Sequence, residues 1–435
     1  MNLSMKATRP VLNRLSLVVL AVVLAVTPLV VLPTPGMAKT KLVLWDWHEP
    51  RMKLFEEYAK QYEKIRPDIE IVTVTVPWDD YWSKLAVAIA SKTAPDIAEF
   101  HNEQYSKFDG MLTPFPEDLF PLEEMRKKYI MFDQAFNFDG KFYYFPDGIM
   151  SGVVFYNVSL LQQAGIAGVP KTWDEMATVG QKLTRMNSDG TLKQVGFNFA
   201  YDAGVLVDMI YQHGGRLFGE TGVAFHEEPG KKAVQLFDKM LKARISAQPG
   251  LAFNGSFENG QVAMQYNWTW YGGLLRSVSK VDWQVAPLPT PTGASLPARG
   301  RNNYESGLSV PAGVPKERQR LAFEFIKWLY DNDEFYIRLN QALGRIPGRP
   351  SLWNRPEVIN NSMFRVLAQQ APYTVYAGPI PGWMWETLGT LHQAIINGTK
   401  SPVVALEEAR QKGDAEWRRD PPRYIVESLY KPPAN

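Results

Sequence analysis

Residues 260–273, GQVAMQYNWTWYGG, decide how the chain is read. The stretch opens on a Gly-Gln turn, runs through the apolar segment 262–266 and breaks at Asn267. It then presents Trp268, Trp270 and Tyr271 just before a Gly pair that starts a helix. An apolar strand that ends in aromatic side chains and leads into a helix is a loop at a strand's carboxyl end, where open α/β sheets hold their ligands. The same Trp-x-Trp device recurs at Trp45/Trp47 and at Trp383/Trp385. The expectation is that the three pairs, far apart in the chain, converge on one cleft.

Upstream, residues 41–45 (KLVLW) form a short apolar strand, and Glu49-Pro50 opens a helix with Leu54, Phe55, Tyr58, Tyr62 and Ile65 at helical spacing. Residues 69–76 (IEIVTVTV) are rich in β-branched side chains and read as a strand; a helix over 78–92 and a strand from Pro95-Asp96-Ile97 follow. Strands joined by crossover helices predict a parallel, doubly wound lobe. Residues 141–146 and 152–157 are strand-like and stand where the chain first crosses to another lobe. Thr172 and Glu175 form a capping box ahead of a helix to 183. Further short strands are expected at 196–200, 281–287 and 308–311, with helices at 231–245 and 316–330. Residues 287–301 read as a linker, and helices at 333–343, 355–370, 383–397 and 402–417 close the chain.

The 435 residues are 45% apolar and 21% charged, an ordinary globular balance and long enough for two or more domains. Cysteine is absent, which excludes disulfides, thiol catalysis, Cys-ligated metals and a lipid-modified N-terminal Cys. Lys6, Arg9 and Arg14, the apolar run 15–32 and the small residues of Gly36-Met37-Ala38 predict a signal peptide over 1–38 cleaved before Lys39. An uncleaved anchor is the alternative, since the run is about long enough to span a bilayer. Losing those three cations takes the net charge from +2 to −1. A near-neutral mature chain argues against nucleic acid or an anionic membrane as partner.

Phosphate-cradling, dinucleotide-binding, zinc-protease and nucleophile-elbow motifs are all missing from the sequence. The five His residues stand far apart, none pairs with another at metal-ligand spacing, and neither a metal site nor a cofactor is expected. What the chain does offer, at several strand ends, is Trp and Tyr beside Asp, Glu, Asn and Arg. That mix suits a sugar: an indole covers the apolar face of a pyranose, while carboxylates and amides replace the water around its hydroxyls.

The order of these pieces resembles the extracytoplasmic solute-binding proteins of ABC importers, in the class that includes maltose/maltodextrin- and glycerol-phosphate-binding proteins. The resemblance rests on KLVLWDW, Tyr81-Trp82-x-Lys84-Leu85 with Ala94-Pro95-Asp96-Ile97, GVVFYNVSLL at 152–161, and Pro170-Lys171-Thr172-Trp173-Asp174-Glu175. It continues in Phe257-Glu258-Asn259-Gly260-Gln261-Val262-Ala263-Met264, the 322–329 helix and Gly344-Arg345-Ile346-Pro347. It implies two α/β lobes joined by a multi-crossing hinge, the periplasmic binding protein-like fold, with ligand between the lobes. Lobe one would comprise 39–150 and 299–344, and lobe two 151–298 and 345–435, with crossings near 150, 299 and 345.

The expected ligand contacts are Trp47 and His48 after the first strand, Asp80 after the second, and His101 and Glu103 after the third. Asp147 and Arg345 stand at crossings, where pairing with hinge carboxylates is the other reading for Arg345; Asn303 and Glu305 precede the strand near 308, and Trp268, Trp270, Trp383 and Trp385 supply rings. For Asp80 a plain first-turn carboxylate favoured by the helix dipole is the leading alternative to a ligand contact. Trp383 and Trp385, two apart on a helix, cannot share a face. The implied activity is capture of a di- or oligosaccharide by a periplasmic or extracellular monomer that delivers it to the transmembrane subunits of a permease, with no bond chemistry. Two alternatives remain: a glycerol-phosphate or phosphodiester ligand, needing a cationic subsite near Arg301, Arg345 or Arg349, and a secreted carbohydrate-active enzyme, needing a pair of carboxyls across a sugar.

Overall fold

The computed structural model describes residues 39–105, 107–136, 140–293, 300–376, 378, 380–422 and 428–429. The expected signal segment 1–38 lies outside the described residues. In chain order, β1 (Thr40–Asp46), β2 (Ile69–Thr75), β3 (Ile97–His101) and β4 (Leu112–Thr113) begin one sheet. Then β5 (Gly148–Asn157), β6 (Arg185–Met186), β7 (Leu192–Asn198), β8 (Val262–Trp268), β9 (Trp283–Ala286) and β10 (Gly300–Tyr304) build a second. The chain returns to the first sheet with β11 (Ser306–Pro311) and ends in the second with β12 (Ile346–Pro347), β13 (Thr374–Tyr376) and β14 (Ser428–Leu429).

The first sheet has the order β2-β1-β3-β11-β4, with β1 parallel to β2 and β3. Its wholly parallel form was the expectation, but β11 runs antiparallel to β3 and β4, because it enters from the other lobe. The second sheet, β14-β13-β10-β5-β8-β7-β6, is likewise mixed: β5 runs antiparallel to both β10 and β8, while β7 and β8 are parallel. The α/β fold with two lobes stands.

Local chemistry accounts for the elements. In β1, Leu42 and Leu44 are buried while Lys41, Val43 and Trp45 between them are not, the period of a strand with one face on a core. The helix Glu49–Ile65 buries Met52, Phe55, Tyr58, Ala59 and Tyr62, a stripe at helical spacing against the first sheet's core. The capping box forms: Thr172 Oγ1 accepts from Glu175 N at 3.1 Å, and the Glu175 carboxylate accepts from Thr172 N at 3.1 Å. One helix was expected over 355–370; there are two, Pro356–Ile359 and Ser362–Gln370, because Asn361 Oδ1 accepts from Met363 N and Phe364 N and starts the helix afresh.

The strands change sheet at three places: after Asp147, at Glu305, and between Gly344 and Ile346. The expected second crossing near 299 falls within 294–299, outside the described residues. Residues 300–304, expected beside the linker in lobe one, instead form β10 of the second sheet, held by Asn302–Asn303–Tyr304 against β5. The strand carboxyl ends β1, β3, β7 and β8 and the three crossings therefore face one region between the lobes.

Gly344 terminates the helix Asp333–Leu343 with φ of 66°. A Cβ there would also stand 2.1 Å from the Thr269 carbonyl oxygen. Gly344→Ala is expected to destabilise the protein by about 2 kcal/mol or more, from backbone strain plus this clash. Gly168→Ala, with nothing within 4 Å of its added methyl, is expected to stay within about 0.5 kcal/mol. Denaturant melts of the two variants check the contrast.

Candidate functional site

Two adjoining cavities of about 540 and 610 Å³ share Trp270 and Glu305. Lobe one contributes Trp47, His48 and Arg51 after β1 and Asn102 and Glu103 after β3. Lobe two contributes Tyr201–Gly204 after β7, Trp268 and Trp270 at and beyond the end of β8, and Ile380, Trp385 and His392 from or beside the helix Gly382–Ile396. Arg301, Asn302 and Asn303 of β10, then Glu305 and Arg345, form the floor at the crossings.

The three indole positions do different things. The Arg301 guanidinium lies 5.0 Å from the Trp268 ring centre and 5.2 Å from that of Trp385, so one cation is held between two rings. It is fixed from behind: Asp208 Oδ1 accepts from Arg301 N and Nε, each at 2.9 Å, and Asp208 Oδ2 accepts from Tyr266 OH at 2.6 Å. Trp268 and Trp385 are thus pinned, each with one face taken. Trp270, in the first turn of the helix Trp270–Val278, is 45% exposed and stands between the two cavities with a ring face free for a ligand. Trp47 packs edge-on to Trp78 and Tyr81 at 5.0 and 4.9 Å and carries the Arg51 guanidinium at 5.0 Å. It borders the larger cavity as part of an aromatic cluster.

Beneath the cleft lies a buried ion cluster. Arg51, 1% exposed, donates to Asp46 at 2.5 and 2.6 Å, to Glu99 at 2.5 Å and to Ser306 Oγ at 3.2 Å. Asp147 lies 3.7 Å from Arg51 and 3.5 Å from Arg345 and accepts from Tyr330 OH. Arg345 in turn donates to Ser306 Oγ at 3.0 Å and to Glu305. Burial pushes the Asp147 carboxyl up to about 6 against the pull of Arg51 and Arg345. Burial works in the same direction on Glu305, but Arg345 and His101 prevail and hold it at about 2. Glu305 is therefore a carboxylate with one side tied to the hinge and the other facing ligand space.

Nine of the expected contact residues come together here: Trp47, His48, Glu103, Trp268, Trp270, Asn303, Glu305, Arg345 and Trp385. Four do not. Asp80 is exposed on the first turn of its helix and pairs with Lys84 at 3.0 Å, so the dipole reading accounts for it. Asp147 is fully buried under the cleft, because the two arginines need its charge. Trp383 is 7% exposed in the core of lobe two, its Nε1 donating to the Asp420 carbonyl; the helix turns it away from Trp385. His101 is 6% exposed and sits behind the wall, where Nδ1 accepts from Glu103 N at 3.3 Å and Nε2 lies 3.4 Å from Glu305. It holds the two carboxylate-bearing residues in place. Sequence reading missed Tyr201, Asp202 and His392. The first two follow β7 at its carboxyl end, the same signal that found the others.

With this geometry in view, residues 57–365 match the family model of bacterial extracellular solute-binding proteins. The chain belongs to that family. It is 24% identical to the maltotriose-binding protein of Pyrococcus abyssi over 85% of this chain and 80% of that one. A maltose/maltodextrin-binding domain of Bdellovibrio bacteriovorus bound to maltotriose has the same fold, with a TM-score of 0.71, 20% identity, and coverage of 87% of this chain and all of that one. UgpB of Mycobacterium tuberculosis, in complex with glycerophosphocholine, gives a TM-score of 0.73 at 19% identity, over 88% of this chain and 99% of that one. Both likenesses carry the fold alone, so the ligand of this solute-binding protein has to be argued from its own cleft.

That cleft contains a pH handle. Burial holds the His392 imidazole down to about 4, and burial with Arg51 nearby does the same to His48. Both are neutral in the fold and take up protons on unfolding. Their stabilisation is complete above 6.5, their usual value, and is lost as pH falls toward 4. Asp147, raised to about 6, works in the opposite direction over part of that range, so a variant is needed to isolate the histidine. Relative to wild type, His392→Gln is expected to shrink the loss of stability between pH 7 and pH 5 by about 1–2 kcal/mol, read from denaturant melts at each pH.

Proposed function

We propose that this solute-binding protein captures a di- or oligosaccharide between its lobes, outside the cytoplasm, and presents the closed form to the transmembrane subunits of an ABC permease. The reading implies binding and hinge closure without bond chemistry. The observation that carries it is Trp270: a half-exposed indole between two cavities, backed by a pinned pair of rings and surrounded by Asn, Glu and Asp side chains. A free indole covers the apolar face of a pyranose with little loss of side-chain entropy, and the ring of acceptors takes up the hydroxyls that leave water. Cavities of this combined size, meeting at Trp270 and Glu305, suit more than one sugar unit.

The names of the similar proteins point the same way, to maltotriose and maltodextrin in two of the three. Against a phosphate-bearing ligand stands the engagement of the three arginines expected to form a cationic subsite. Arg301 is paired with Asp208, Arg345 with Glu305 and Asp147, and Arg349 with Asp333 away from both cavities. Contacts from both lobes exist together only in the closed form, so a ligand shifts the open–closed balance by the affinity difference between the two.

Calorimetric titration with a panel of neutral di- to tetrasaccharides tests this. At least one is expected to bind, and Trp270→Ala to weaken it by about 2–4 kcal/mol with the fold retained, the loss expected of a central aromatic anchor. Unchanged affinity in that variant would remove the indole from the site, and no heat or thermal shift with any saccharide would end the reading.

A further inference from the structure

The smaller cavity carries an unbalanced charge. Glu103 from lobe one and Asp202 from lobe two both line it, and among the described residues neither forms an ion pair. Asp202 Oδ1 accepts from Gly204 N at 2.6 Å. Both side chains reach water yet are surrounded by protein, and burial raises both carboxyls above their ordinary value, Glu305 adding to the effect at Glu103. The cations nearby are spent elsewhere. Arg301 draws on both carboxyls but forms its ion pair with Asp208, Arg345 pairs with Glu305, and His101 and Lys107 act on Glu103 without forming an ion pair with it. His392, which also lines the cavity, is kept neutral by its burial.

A second observation is independent of those charges. His392 and Asn302 are 1% and 3% exposed and border the same cavity, yet among the described residues His392 Nε2 and Asn302 Oδ1 have no hydrogen-bond partner. The amide oxygen calls for a group that donates a hydrogen bond, and the neutral imidazole nitrogen beside the same cavity donates or accepts according to its tautomer. Tyr201 and Trp270 add ring faces, and Tyr201 is fixed by donating its hydroxyl to the Tyr266 carbonyl at 2.6 Å. Carboxylates, an open acceptor and aromatic faces together are the chemistry that recognises an ammonium group.

We infer that this cavity seats a saccharide unit bearing a free, protonated amino group, between Glu103 of one lobe and Asp202 of the other. The inference rests on the proposed saccharide ligand and narrows it. It also gives closure a condition. Two unpaired carboxylates on opposite lobes oppose closing, and a cation between them converts that repulsion into a bridge. A neutral sugar fills the same space without that gain, and an anionic one adds a third like charge.

Calorimetry with the glucosamine trisaccharide, the N-acetylglucosamine trisaccharide and maltotriose, at a pH about one unit below and one unit above the sugar amine's own pKa, separates the outcomes. The free-amine trisaccharide is expected to bind at least about tenfold more tightly than its acetylated counterpart at the lower pH only, with a preference that shrinks as salt is added. Glu103→Gln and Asp202→Asn, each shown folded by circular dichroism, are expected to bring that ratio close to one, whatever happens to the separate affinities. Equal binding of amine and acetylated forms overturns the amine subsite and leaves the saccharide reading standing. Failure of all three to bind, together with the neutral panel, overturns both. Tight binding of Ca²⁺ alone, lost in the same two variants, would assign the carboxylates to a metal and overturn the inference.

Discussion

The guanidinium of Arg51 is the point on which the two lobes turn. It is inserted from the first helix into a space with almost no water and meets Asp46 from the end of β1, Glu99 from β3 and, at longer range, Asp147 where the chain first leaves the lobe. Ser306 Oγ lies between Arg51 and Arg345, and so joins the second crossing to the third. Burying charges is expensive, and the attraction between them offsets that cost only when geometry and hydrogen bonds are complete. A cluster of this kind therefore contributes less to net stability than to arrangement. It fixes where three separate chain segments must lie relative to one another, and removing any one partner leaves the others charged and dry.

That arrangement is what delivers the cleft. Glu305 is the link: its backbone carbonyl accepts from Asn102 N at 2.8 Å, its carboxylate is held by Arg345 and approached by His101, and its free side faces both cavities. On the lobe-two wall, Asp208 does for Arg301 what Asp46 does for Arg51, and Arg301 transmits the order to two indoles. Both walls thus consist of a buried acid, an arginine and an aromatic face. A binding surface built this way loses little side-chain entropy on meeting ligand, because the rings are already placed. Trp270 is the exception, an indole left half-exposed between the cavities, and its freedom is what suits it to a ligand's own face.

Much of this was legible in the sequence, for a physical reason. Strand ends announce themselves through the change from alternating apolar residues to aromatics and carboxylates, so Trp47, Glu103, Trp268, Trp270 and Glu305 stood out. The same change occurs after β7, but reading failed where the element that follows the strand gave no pattern of its own. The helix Gly204–Gln212 is buried on every side, so it has no polar face and no helical period, and without it Tyr201 and Asp202 looked like ordinary loop. β10 lay hidden beside a Pro- and Gly-rich run, and its pairing with β5 is a contact across a long stretch of sequence that no local pattern encodes. Asp147 stood out too, but as a ligand contact rather than a hinge anion, since a lone Asp at a crossing carries no sign that two arginines will meet it from elsewhere. Trp383 and Trp385 show the limit plainly, since their spacing says that only one can face the cleft but not which.

The balance of charge differs sharply between hinge and cleft, and the difference has a mechanical meaning. At the hinge, each buried arginine finds carboxylates, so bending about it need not expose or strand a charge. In the smaller cavity, Glu103 and Asp202 stand on opposite lobes without an ion pair among the described residues, and His392 and Asn302 leave positions there without a partner. The open state leaves those groups to water, and closing removes the water. On the proposed reading, closure is therefore unfavourable for the empty cleft and becomes favourable when the ligand supplies what the water did. A carrier needs that asymmetry: the closed shape should be rare without cargo, so that a permease meeting it meets a loaded protein. Matched charges at the pivot and unmatched acceptors in the jaws achieve it with the same few residue types.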